Sequence, residues 1–267
     1  MKKELTELLL RLGDDALIAA QRLGEWVSVA PEMEEDVALA NIALDQVGAA
    51  RLLLSYAGEL MTEAGESPAA AGGGVVTEDT LAYLRDDREF RNCLLVELPN
   101  GDFAVTIAKL LFLSAYQRLH YDWLVASTDE RLAGIAAKAR KESAYHLDHG
   151  TQWVIRLGDG TAESHRRMQA AVDEIWPYTH ELFQADDLTR RLDEAGFGAA
   201  PATLRDAWLA IVEPVLAQAT LDRPADGWAP ADGWAPAGGR AGLHTEHLSY
   251  LLAEMQVLHR AHPGAHW

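Results

Sequence analysis

Apolar residues recur along much of this chain at alternating steps of three and four, the period of one buried helix face. The first run is Leu9, Leu12, Ala16, Ala19, Leu23, Trp26 and Ala30, and it predicts a helix from about Glu4 to Ala30. Leu39, Ile42, Gln46, Ala49, Leu53, Tyr56 and Leu60 form the second, in a helix opened by Pro31 and running to about Thr62. Glu32, Glu34, Glu35 and Asp36 sit at the positive end of its dipole. A third run, Phe103, Ile107, Leu110, Ser114, Gln117, Tyr121 and Leu124, predicts a helix over 102–126. The fourth is Leu132, Ala136, Ala139, Ser143, His146, Gly150, Trp153 and Leu157, from near Asp129 to the stop "GDG" at 158–160.

Shorter helices are expected after Thr77 and from about Thr161, Pro201 and His244, and little of the chain alternates with period two. Four seams at this spacing predict an all-α fold, a four-helix bundle with additional C-terminal helices in one domain over 1–267. The long link between the second and third helices allows the crossover of a ferritin-like fold. Residues 63–76, with "EAGESPAAAGGG", read as a flexible linker. Residues 223–242 read as a low-complexity loop in which the hexapeptide DGWAPA is written twice. Its Trp228 and Trp234 are docking anchors on one reading; a duplication in a loop that tolerates insertion is the preferred one.

Charge narrows the function classes. Lys+Arg 23 against Asp+Glu 41 gives −18 over 267 residues, which argues against a nucleic-acid or anionic-membrane surface. Cys93 is the only cysteine, so intrachain disulfides and cysteine-based zinc sites are excluded and a reducing compartment fits. The start, "MKKELTELLLRL", lacks a signal-peptide core. No run approaches the length of a membrane span. A cytoplasmic protein is expected.

The centre of such a bundle is where two iron ions would sit. That chemistry needs a carboxylate from each of two helices and Glu-x-x-His from each of the other two. Carboxylates supply hard anionic ligands that balance the metal charge, and imidazole completes the coordination. The mid-seam positions here are Ala16, Gln46, Ala49, Ser114, Ser143 and His146. None is acidic, and none of the ten histidines has Asp or Glu three residues before it. Asp45 and Glu142 stand beside the seam. One reading is an irregular metal site of Asp45, Glu142 and His146. The preferred one is a pair of flanking acids in hydrogen bonds or salt bridges with neighbouring helices, and a satisfied core histidine. "HTEH" at 244–247 matches no standard zinc spacing, and no phosphate loop, dinucleotide fingerprint or nucleophile elbow occurs.

Four stretches carry a resemblance: "LANIALDQVGAARLLLSYAGEL", "LLVELPNGDFAVTIAKL", "ARKESAYHLDHG" and "GLHTEHLSYLLAEMQ". They resemble the C-subunit family of bacterial phenylacetyl-CoA epoxidase complexes, over nearly the whole chain apart from the two low-complexity segments. The resemblance implies a ferritin-like helical fold within a multicomponent oxygenase that epoxidises the ring of phenylacetyl-CoA with O2 and NADPH-derived electrons. It further implies a sibling A subunit holding the di-iron centre, with a small B subunit and a reductase carrying flavin and an iron–sulfur cluster as further partners. Laid on this chain, the A-type ligand positions fall on Ala16, Gln46, Ala49, Ser114, Ser143 and His146, five of the six lacking the ligand type. The expectation is therefore a structural subunit with no catalytic, metal or cofactor site of its own. A self-contained oxygenase using Asp45, Glu142 and His146 is the alternative, and an acyl-CoA-binding module a third.

Overall fold

The computed structural model describes residues 1–198, 200–225, 236–263 and 265; Trp228 and Trp234 lie outside them. Among the described residues there is no strand, and ten α-helices follow in order. They are α1 (Lys2–Gly24), α2 (Met33–Ala64), α3 (Glu78–Tyr83), α4 (Leu94–Glu97) and α5 (Phe103–Leu124). Then come α6 (Glu130–Gly158), α7 (Ala162–Ile175), α8 (Asp187–Glu194), α9 (Arg205–Gln218) and α10 (Glu246–Ala261). Chain contacts divide these into two compact units. One is Met1–Pro99 with Gly238–Trp267, and the other is Asn100–Ala237. Each holds two of the four long helices.

In the first unit α1 and α2 form an antiparallel hairpin. Lys2 at the start of α1 pairs with Glu63 at the end of α2 at 2.8 Å, and mid-helix Gly13 lies against Leu54. A Cβ on Gly13 would come within 2.7 Å of the Leu54 side chain, so its absence lets the helices close. α1 stops at Gly24, short of the expected Ala30. Residues 25–29 turn instead, Ser28 adopts a left-handed φ of 71°, and its amide donates to the Asp36 carboxylate at 2.8 Å. α2 ends at Gly65 with φ 72°, which lets the Gly65 and Glu66 amides reach the carbonyls of Thr62 and Met61. α3 and α4 pack against α10, so the C-terminal helix belongs to the N-terminal unit. There Gln256 donates to the carbonyls of Ala82 and Arg85, and Arg260 to that of Tyr83.

In the second unit α5 and α6 form the corresponding hairpin, with Asp102 and Asp129 as N-caps donated to by Val105 and Leu132. Arg140 meets Asp122 at 2.7 Å and Phe103 meets Trp153 edge to face at 5.0 Å, which sets an antiparallel register. α5 departs from the amphipathic expectation: every residue from Ala104 to Gln117 is buried, not one stripe only. Around Phe112 the covering is aromatic. Phe112, Trp176, Phe183 and Trp208 make ring contacts of 5.3 to 5.7 Å, and the Trp208 indole donates to the Phe112 carbonyl at 3.0 Å.

α2 also corrects an expectation. Charges break it into short runs, yet over an 18-residue window its mean hydropathy of 1.4 makes it long and apolar enough to cross a membrane. Only 44% of that window is buried.

Candidate functional site

All six mid-seam positions are buried. Ala16 on α1 is fully so, and Gln46 and Ala49 on α2 are 4% and 5% exposed. On α5 and α6, Ser114, Ser143 and His146 are 1%, 2% and 2% exposed. Burial here follows the period: residues three and four apart share the face each helix turns inward.

Within the second unit the seam is filled by backbone approach. Gly150, one turn after His146, lies where a Cβ would be 3.2 Å from the Leu111 amide nitrogen and 3.3 Å from its Cα. α6 thus comes close to α5 beside Ser114. The two serines use their hydroxyls locally: Ser114 Oγ donates to the Leu110 carbonyl at 2.5 Å, and Ser143 Oγ to the Ala139 carbonyl at 2.8 Å. A serine bonded into its own helix satisfies its proton without offering an anionic ligand. Ala16 and Ala49 carry no donor atom, and Gln46 and His146 are neutral or cationic. Iron in this environment needs carboxylates to offset its charge. These six residues do not fit a di-iron centre.

The flanking acids are placed differently. Glu142 pairs with Lys138 one turn earlier on α6 itself, not with a neighbouring helix as expected, because residues four apart on one helix face are adjacent. Asp45 is half-buried on α2, in the other unit. Among the described residues no three or more His, Cys, Asp or Glu side chains come close enough to hold a metal ion, and Asp45, Glu142 and His146 form no such group.

Buried acids do exist, one step from the seam, and sequence reasoning missed them. Asp14 and Asp15 precede Ala16 and are 0% and 3% exposed. Asp14 receives both Arg85 amino nitrogens and, at 2.8 Å, the Arg91 amide. Asp15 takes a two-point contact from Arg240 at 2.9 and 2.7 Å, and the Cys93 amide at 2.8 Å. Glu97, fully buried, accepts Asn92 at 2.8 Å and the Thr245 amide at 2.6 Å, and meets His244 Nδ1 at 2.7 Å. The other His244 nitrogen faces the Phe90 carbonyl at 3.1 Å. Each ring nitrogen thus faces an acceptor, an arrangement that a protonated imidazole satisfies on both sides.

These three carboxylates are therefore matched by cations and amides of the same unit, the condition under which buried charge is tolerated. The cluster joins α1, the 85–97 segment and the 240–245 segment. Glycine makes the last approach feasible: a Cβ on Gly239 would sit 2.2 Å from the Asn92 carbonyl oxygen, and one on Gly242, at φ 75°, 2.4 Å from that of Arg88. The available signal is an arginine bracketed by glycines in "GGRAG", inside the stretch read as a tolerant loop.

The family model described as "Phenylacetic acid catabolic protein" matches residues 1–267. A curated relative from Escherichia coli (strain K12), the C subunit of 1,2-phenylacetyl-CoA epoxidase, is 48% identical over 264 residues, 99% of this chain and 99% of that protein. The chain belongs to the phenylacetic acid catabolic protein family, and its all-α fold is that expected of the family's ferritin-like class.

Proposed function

We propose that this member of the phenylacetic acid catabolic protein family is the non-catalytic, structural subunit of a multicomponent phenylacetyl-CoA ring epoxidase. It pairs with a sibling subunit that holds the di-iron centre and the acyl-CoA. The reductase supplies electrons through flavin and an iron–sulfur cluster, and a small B subunit is the remaining component. The supporting relative is named as a subunit of such an epoxidase. A cytoplasmic location agrees with Cys93 as a buried thiol in no disulfide.

One observation carries the non-catalytic role: the six buried seam positions are Ala, Gln, Ala, Ser, Ser and His, with both serines bonded into their own helices. Neutral small side chains pack such a seam without charge compensation, so stability there rests on burial instead of bound metal. The chain's own contribution to the reaction is to hold its partner in the working form.

Metal analysis of the purified chain tests this. The expected result is no stoichiometric iron or manganese; one or two equivalents per chain, lost on changing His146, would favour the self-contained oxygenase. In the reconstituted complex, His146→Ala should leave epoxidation mostly intact. Loss of turnover with the assembly preserved would overturn the structural role.

A further inference from the structure

Exposed apolar surface is concentrated in one unit. Of the fifteen large apolar side chains exposed among the described residues, thirteen belong to Met1–Pro99 and Gly238–Trp267, the exceptions being Trp123 and Tyr145. On α2 four fall on one line: Met33, Val37, Leu44 and Val47, 77%, 58%, 65% and 45% exposed. Steps of four, seven and three put them on a single face, opposite the buried face of Leu39, Ile42 and Gln46. This face explains why so apolar a helix is less than half buried. A contiguous apolar patch rimmed by polar residues marks an interaction surface.

The stripe leads into a groove. Val47 is shared with an open cavity of about 300 Å³, floored by Ala50 and Leu54 and edged by Arg51, Glu78 and Asp79. Arg51 meets Glu78 at 3.3 Å, so Asp79 leaves the groove mouth with net negative charge. The other end of the stripe is acidic too, with Glu32, Glu34 and Asp36 around the start of α2. Acid at both ends selects the occupant. An anionic bilayer would be repelled. A second copy would set acid against acid, within a chain of net charge −18. A different protein with an apolar helix face and basic residues beside it satisfies both ends.

We infer that the Met33–Val47 stripe of α2 and its groove dock a helix of the sibling subunit, one with an apolar face flanked by lysine or arginine and a cationic side chain entering at Asp79. This rests on the subunit reading above and adds the face that it uses.

The test is co-expression with the catalytic subunit of the same complex, followed by size-exclusion chromatography with light scattering and a titration of the separated chains. Val37→Asp with Leu44→Asp should weaken pairing at least about a hundredfold. Asp79→Lys should weaken it about tenfold, more at low salt than at high. Tyr145→Asp, on α6, should leave it unchanged. Should the double variant lose its helical signal, hydrogen exchange on the wild type decides: pairing must slow exchange along 33–47.

Pairing of the double variant at wild-type strength, or no slowing along 33–47, sinks the docking face and leaves the subunit reading standing. A wild-type chain that does not pair at all sinks the subunit reading itself. A homodimer that the double variant abolishes, or binding to phosphatidylglycerol vesicles that it removes, assigns the face to another occupant and overturns the inference.

Discussion

The two units begin alike, each with an antiparallel pair of long helices, and are completed by opposite means. The Asn100–Ala237 unit packs aromatic rings against α5, centred on Phe112, Trp176 and Trp208. The unit of Met1–Pro99 and Gly238–Trp267 is cross-linked by buried ions, Asp14 to Arg85 and Asp15 to Arg240. Burial of apolar surface is strong and non-directional. A two-point carboxylate–guanidinium contact is directional, and fixes where a returning segment must lie. The difference fits the needs of each unit: the first must capture a segment from the far end of the chain, the second joins consecutive elements.

Substitutions can break that contrast. The largest losses should come from either centre. Arg85→Met strands Asp14 without its cation and should cost about 3–5 kcal/mol in urea unfolding, whereas Arg85→Met with Asp14→Leu should recover most of it. A single-variant cost under about 1 kcal/mol would show that the ion pair does not organise the first unit. Trp208→Ala in the second unit should lose about 3–5 kcal/mol with no simple rescue, because a packed ring and a bond to the Phe112 carbonyl both go. Hydrogen exchange should place each loss within its own unit.

A smaller effect sharpens how tightly the first unit is closed. A Cβ on Gly58 would meet the Val76 carbonyl oxygen at 2.4 Å. Gly58→Ala should therefore destabilise by about 1–3 kcal/mol, despite the roughly 1 kcal/mol that alanine gains in an open helix. A stabilised variant, seen as a higher denaturation midpoint, would mean that the 76–77 segment can move away freely.

The smallest effect is electrostatic and lies on the surface of the second unit. Hydrogen bonds from Arg166 and then Arg167 hold the Glu163 carboxyl down, from 4.5 to about 2. A carboxylate depressed by folding stabilises in full above its unfolded value. That contribution shrinks as pH falls from 4.5 and is gone below about 2. Glu163→Gln should lower the midpoint slightly at neutral pH and not at all at the acid end, and a carboxyl titration by NMR in the usual range would refute the assignment.

Local signals are legible along the chain. Asp129 opens α6 because its carboxylate caps the Leu132 amide within the first turn. The seam residues Ala16, Gln46, Ala49, Ser114, Ser143 and His146 are buried because helical period puts them on one face. Other features are hidden. Period alone makes α1 too long, because the turn at Ser28 depends on Asp36, a contact across eight residues that period does not encode. α5 carries Thr106, Lys109 and Gln117 among its buried residues, and their burial depends on what surrounds the helix. Arg240 is lost in an apparent loop because its partner Asp15 lies 225 residues away.

By itself, then, the order of residues determined that this chain is helical and that its seam holds side chains unsuited to iron. Both are properties of neighbouring residues and of the atoms each side chain carries. Only the tertiary structure decided which acids are buried, which cations neutralise them, and which apolar stripe stays uncovered. Those outcomes depend on where distant segments return, and a charge or a methyl group gains its energetic meaning from whatever comes to rest against it.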